Sequence, residues 1–199
     1  MAKLKSGGSA PERGPMVILF AETRGFTGTS AMLEPSIVME RVSEFFDLVA
    51  AAVEAQQGVV VNVLNDTVTA IFAGKEDAQR AVRAAEEILG KFDAFAQAWE
   101  RDYGVHTAVA VGMHRGDAIA GPAGGPGKQD FVFGDCVSIA ERLLHRARAG
   151  EFVLSEAMIK VLKESGLPLK AVELPPLELS RRAPIRIFGM VLDTRLDFT

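Results

Sequence analysis

Apolar positions change their spacing repeatedly along the chain, and each change marks an element. Met16-Val17-Ile18-Leu19-Phe20-Ala21 is a continuous apolar run of strand length. Between residues 37 and 53 the apolar positions 38, 42, 45, 46, 49 and 53 recur at helical spacing. Glu40, Arg41, Glu44 and Asp47 fall on the other side, and Pro35 suits a first helical turn. Gly58 ends that helix. Residues 59–64 and 68–72 are β-branched runs that flank Asn65-Asp66, as in a tight hairpin. Residues 77–99 predict a second amphipathic helix carrying Ala81, Ala85, Ile88, Leu89, Phe92, Phe95 and Trp99. Residues 105–113 read as a strand. Residues 116–128, with Gly at 116, 121, 124, 125 and 127, read as a loop. A short strand over 130–133, a helix over 136–148 and a strand over 152–154 follow. Ser155 reads as the N-cap of a short helix reaching Lys163. Residues 172–174 and 185–191 suggest a final pair of strands.

The order is β-α-β-β-α-β with further mixed elements. It predicts an α+β fold: a ferredoxin-like βαββαβ core with extra C-terminal elements, an antiparallel sheet and helices on one face. Residues 1–14, rich in Gly, Ser, Pro and charge, are expected to be a flexible arm. Residues 15–165 form the core domain in this reading, and residues 166–199 a strand pair that completes it.

Composition narrows the function classes. Of 199 residues, 48% are hydrophobic and 24% charged, which argues for a packed core rather than disorder. One Cys excludes an intrachain disulfide framework. Three His make a His-rich metal cage a poor expectation. The net charge of −4 argues against a nucleic-acid partner. No apolar run reaches membrane-spanning length, and the first residues carry no apolar signal core, so a cytoplasmic location with no membrane partner is expected.

Two carboxylates stand out. Glu22 follows the apolar strand directly, and Asp66 sits in the hairpin tip. The topology can bring both together, and paired carboxylates at strand ends are a usual way to hold Mg²⁺ against phosphates. Both could equally be turn carboxylates facing water. A phosphate loop needs G-x-x-x-x-G-K-[ST]. Gly127-Lys128 has Pro122 and Gln129 at the two required flanking positions and fails at both. Cys136 lies at a predicted helix start, which can lower a thiol pKa, but a small packing residue is the better reading.

Five blocks resemble the class III adenylyl and guanylyl cyclase catalytic domain. Phe20-Ala21-Glu22-Thr23-Arg24-Gly25-Phe26-Thr27 is similar to F-A-D-I-R-G-F-T. Asn65-Asp66-Thr67-Val68-Thr69-Ala70-Ile71-Phe72 is similar to the G-D-G-x-x-A-x-F hairpin. Gly112-Met113-His114-Arg115-Gly116-Asp117 resembles G-I-H-x-G-E, and residues 133–143 resemble I-G-D-x-V-N-x-A-x-R-L. Residues 151–156 resemble E-I-L-I-S-E. The blocks run in family order.

The resemblance implies cyclisation of ATP or GTP to a 3′,5′-cyclic nucleotide, with Mg²⁺ or Mn²⁺ when active. It implies a site shared across a head-to-tail homodimer. The metal positions fall on Glu22, one CH₂ longer than the family Asp, and on Asp66. The purine-reading positions fall on Asn62 and Phe131, which lack the family's cation and its acid or hydroxyl. The ribose position falls on Ser138 and the transition-state Arg on Arg142. Thr23, Gly25, Phe26 and Thr27 fall among the nucleotide-binding positions of the first block. Two of six principal positions are identical, one is conservative and three are altered. The expected function is a degenerate cyclase domain with little turnover, acting as a regulatory or interaction module, with any regulator a separate protein. An active cyclase with a non-standard site, and a nucleotide-binding sensor, are the alternatives.

Overall fold

The computed structural model describes residues 12–25, 28, 33–123, 129–167, 169–180 and 182–191. Its strands are β1 (Glu12–Arg24), β2 (Val59–Leu64), β3 (Thr67–Ala73), β4 (Ala108–Ala123), β5 (Gln129–Phe133), β6 (Glu151–Ser155), β7 (Val172–Leu177) and β8 (Ile185–Val191). Its helices are α1 (Pro35–Ala55), α2 (Asp77–Tyr103), α3 (Asp135–Arg146) and α4 (Glu156–Glu164). The fold is α+β. One sheet runs in the order β2-β3-β1-β4-β6-β8-β7, and β5 pairs with β4 beside this path.

The apolar run in β1 has a physical cause. Val17, Leu19 and Ala21 enter a core with Phe45 and Val49 of α1, Ala81 and Ile88 of α2, and Met158 of α4. Met16, Ile18 and Phe20 enter a second core with Ile139, Leu143 and Leu144 of α3. A strand covered on both faces cannot alternate apolar with polar. Helices therefore lie on both faces, not on one as the sequence pattern suggested, because α3 crosses to the far side. The sheet is also not wholly antiparallel: β4 and β6 pair in parallel, which the intervening α3 crossover requires. Gly112 lets α3 approach. A Cβ there would lie 2.1 Å from the Leu144 amide nitrogen.

Three further expectations change. β1 begins at Glu12, so residues 12–14 belong to the sheet rather than to the arm, and residues 1–11 lie outside the described residues. The glycine-containing stretch 116–123 is strand, not loop. It pairs with β1 from Glu12↔Ala120 to Pro15↔Asp117, and Ala118 and Ala120 are buried under α3. Residues 124–128 lie outside the described residues. Ser155 precedes α4 but makes no capping hydrogen bond. It is fully buried, and its Oγ lies 2.7 Å from His114 Nδ1.

Candidate active site

The site is built where β1 ends. Its antiparallel register places Glu22 opposite Thr67, the residue after Asp66. The Thr23 amide donates to the Asp66 carbonyl at 3.3 Å, and Thr23 Oγ1 donates to Asp66 Oδ2 at 3.1 Å. Asn65 holds the turn in the left-handed region, with φ 55°, which asparagine tolerates better than most residues. Glu22 and Asp66 thus stand at the same end of neighbouring strands. Two hard oxygen donors fit Mg²⁺ or Mn²⁺ in chemistry. Among the described residues no group of three or more His, Cys, Asp or Glu gathers around a common point.

Arg24 competes for one of these donors. Its guanidinium bonds Glu22 Oε1, and its second nitrogen donates to the carbonyls of Leu144 at 2.7 Å and Ala147 at 3.3 Å. Glu22 and Arg24, two apart on a strand, share the α3 face. Sequence reading passed over Arg24 as a site residue; its signal was that i, i+2 spacing of opposite charges.

Asn62 and Phe131 come together. Both line a cleft of about 230 Å³ on the α3 face, with Phe20, Thr69, Asp130 and Glu141 among its other walls. An irregularity in the β2–β3 register between Val60 and Asn62 turns Val61 and Asn62 to the same cleft. Ser138 and Arg142, one helical turn apart on α3, line a second cleft of about 250 Å³. Arg182, from the segment before β8, lines it too and bonds Asp135 at the first turn of α3. Two guanidiniums against one carboxylate make this cleft suited to an anion. Nothing in the tail's apolar pattern singled out Arg182. Gly25 has φ 88°, and a Cβ there would lie 2.8 Å from the His106 carbonyl oxygen. Phe26 and Thr27 lie outside the described residues.

Two buried groups near α3 have shifted titration. Burial lowers the His114 pKa to about 4, with the Asp135 charge opposing the shift weakly. Burial raises the Cys136 thiol, whose Sγ contacts the Asp117 carbonyl at 3.4 Å. Cys136 packs as a thiol and is not poised as a nucleophile.

Comparison with known proteins shows similarity in sequence and in fold, and a family match. The chain is 29% identical over 142 residues to adenylate cyclase 1 of Rhizobium meliloti (strain 1021), covering 69% of this chain and 21% of that protein. It is 26% identical over 153 residues to adenylate cyclase of Anabaena cylindrica, covering 74% of this chain and 30% of that protein. The chain thus spans less than a third of these relatives' lengths. The crystal structure of the adenylyl cyclase CyaB from P. aeruginosa matches its fold with a TM-score of 0.84 and 20% identity, over 96% of this chain and all of that one. The family model of the adenylate and guanylate cyclase catalytic domain matches residues 9–186. That span holds both strand-end carboxylates and every residue of both clefts, and the chain belongs to the adenylate and guanylate cyclase catalytic-domain family.

Proposed function

We propose that this domain has little or no cyclase turnover and serves as a regulatory or interaction module in cyclic-nucleotide signalling. The observation that carries this reading is the lining of the 230 Å³ cleft. Asn62 and Phe131 occupy it where the family resemblance places purine-reading side chains. Phenylalanine offers a base edge no donor or acceptor, and an unmet polar edge costs about 1–3 kcal/mol. Catalysis by this family rests on positioning and on charge stabilisation, so loss at several contacts compounds. The test is direct. Purified protein with ATP or GTP and Mn²⁺ is assayed for cyclic product. Product formation that Asp66→Ala abolishes overturns the proposal.

A second reading is favoured by one feature. Glu22 and Asp66 stand at the same end of neighbouring strands, and Arg142 faces a cleft with Arg182. Those residues would hold a divalent cation and an anionic phosphoryl group in an active, Mn²⁺-preferring enzyme. The cation would screen the triphosphate and activate a ribose hydroxyl.

A homodimer belongs to either reading. Neither Glu22 nor Asp66 lines the cleft of Arg142, so one chain presents two partial sites. Light scattering at micromolar concentration checks it, and a strictly monomeric mass removes it.

A further inference from the structure

The 230 Å³ cleft carries more than the loss of a purine contact. Four of its walls are polar side chains: Asn62, Thr69, Asp130 and Glu141. Among the described residues none of the four makes a side-chain hydrogen bond or ion pair, although other polar groups of this size do. Thr69 is only 6% exposed, lines the cleft, and has no side-chain partner among the described residues. Asn62 and Glu141 are exposed and Asp130 is half-buried, so with the Thr69 hydroxyl they offer unpartnered acceptors to a ligand's donors at one cleft.

The charge of the lining decides the ligand's sign. Two carboxylates face the cleft, and no Lys, Arg or His is among the residues that line it. The cleft is acceptor-rich and attracts a cation. Its aromatic wall decides the shape. Phe131 is 40% exposed and stacks on Phe133, with centroids 5.9 Å apart and an interplanar angle of 17°. A flat cation can lie on such a ring. Guanidinium is planar and presents five donors, which suits two carboxylates, an amide oxygen and a hydroxyl better than a point-charged ammonium does.

We infer that this cleft takes a guanidinium group, supplied by an arginine side chain of a partner protein. A macromolecular source is favoured by the rim. Phe133 is 58% exposed and its cross-strand partner Ile119 is 40% exposed, so an apolar shelf adjoins the cleft. A shelf of this kind seats a protein surface rather than a small hydrophilic molecule. The inference rests on the reading of the domain as an interaction module and names the chemistry by which it would interact.

The test uses the full chain and agmatine as the guanidinium probe, followed by amide NMR. Saturable shifts confined to residues 60–70 and 129–141 are expected. The apparent affinity should fall at least tenfold in Asp130→Asn/Glu141→Gln, whose thermal unfolding is measured alongside to confirm folding. Butylamine, a point-charged control, should bind several-fold more weakly. No saturable shift with agmatine overturns the inference, as does unchanged binding in the folded double variant. Saturation by uncharged guanosine but not by agmatine also overturns it, since the cleft would then read a base. Dissociation of a dimer by agmatine would put a second copy's arginine in the cleft and overturn the assignment to a separate partner. The cyclic-product assay is run on the same sample. Product together with agmatine binding sinks the low-turnover reading alone, and absence of both sinks this inference alone.

Discussion

Arg24 is bonded to Glu22, two residues before it on the same face of β1, and to the carbonyls of Leu144 and Ala147 beyond the sheet. One guanidinium therefore does two jobs. It neutralises the Glu22 carboxylate at the end of β1, and it fastens the C-terminal end of α3, where the helix dipole favours a cation. A divalent cation must displace this internal one to reach Glu22. In Arg24→Gln the chain should bind Mn²⁺ several-fold more tightly, read by titration calorimetry, and Asp66→Asn should remove that gain. The same substitution should lower stability by about 2 kcal/mol, because a charge-assisted contact to buried carbonyls is lost. At this chain length that is a fall of about 4–8 °C in Tm. Equal Mn²⁺ affinity in both proteins would show that Arg24 does not compete.

His114 and Ser155 predict a pH dependence. The His114 pKa is lowered from 6.5 to about 4 by burial, so the folded state resists a proton that the unfolded chain accepts. Stability is full above the unfolded pKa of 6.5 and is lost as pH falls from there towards about 4, levelling below that. The size follows from the shift at 1.36 kcal/mol per unit, about 3 kcal/mol in all. That shift already includes the opposing Asp135 charge, and Cys136, raised by burial, stays neutral throughout the window. Urea midpoints at pH 7 and pH 5 should separate clearly in the parent chain and much less in His114→Gln. A parent chain as stable at pH 5 as at pH 7 would contradict the buried, neutral imidazole.

Much of this architecture was legible in residue spacing. Pro35, Gly58, Asn65-Asp66 and Asp77 each mark a boundary the structure keeps, because those residues act locally. What was not legible depends on partners distant in sequence. The face covered by α3 could not be read from its own amphipathic stripe, which says that one side is buried but not under which surface of the sheet. The second half of β4 looked like loop because Gly116, Gly121 and Pro122 weaken strand propensity, yet long pairing with β1 and β5 overrides it. Ser155 resembled a cap, but its hydroxyl had a nearer use at His114. At the site, block spacing nominated Glu22, Asp66, Asn62, Phe131, Ser138 and Arg142; the structure sets the first two at one end of neighbouring strands and the other four along two clefts. Arg24, Thr69, Glu141 and Arg182 were missed, since their importance comes from what the fold sets beside them.

Gly112 tests the placement of α3. A Cβ at this position would sit 2.1 Å from the Leu144 nitrogen and 2.6 Å from the Ala140 carbonyl oxygen. Both are backbone atoms of one helix and cannot step aside singly, so α3 must shift as a unit. Gly112→Ala should cost about 3 kcal/mol, at the upper end for overpacking a core. Calorimetric unfolding reads the loss. Because Ser138 and Arg142 ride on α3, phosphate analogues should also bind the second cleft more weakly. A variant with the parent's Tm would mean that α3 stands farther from β4 than the structure has it.

The three altered contacts can be restored in place. Asn62 and Phe131 share one cleft, and Ser138 lies on α3 in the next, beside Arg142. Asn62→Lys/Phe131→Asp/Ser138→Asn returns the cation, the acid and the longer amide that the family resemblance assigns to these positions. Phe131 is 40% exposed, so replacing its ring empties no core and should leave the fold standing. If turnover is limited by these contacts, the triple variant should form cyclic product at least tenfold faster than the parent with ATP and Mn²⁺. Adding Glu22→Asp shortens the carboxylate that the family resemblance assigns to a metal by one CH₂ and should raise the rate further with Mg²⁺, whose geometry is the stricter. A triple variant that stays silent, yet gains product once Glu22→Asp is added, would move the block from the base cleft to the metal end. One that stays silent in both forms would place the loss outside these four positions.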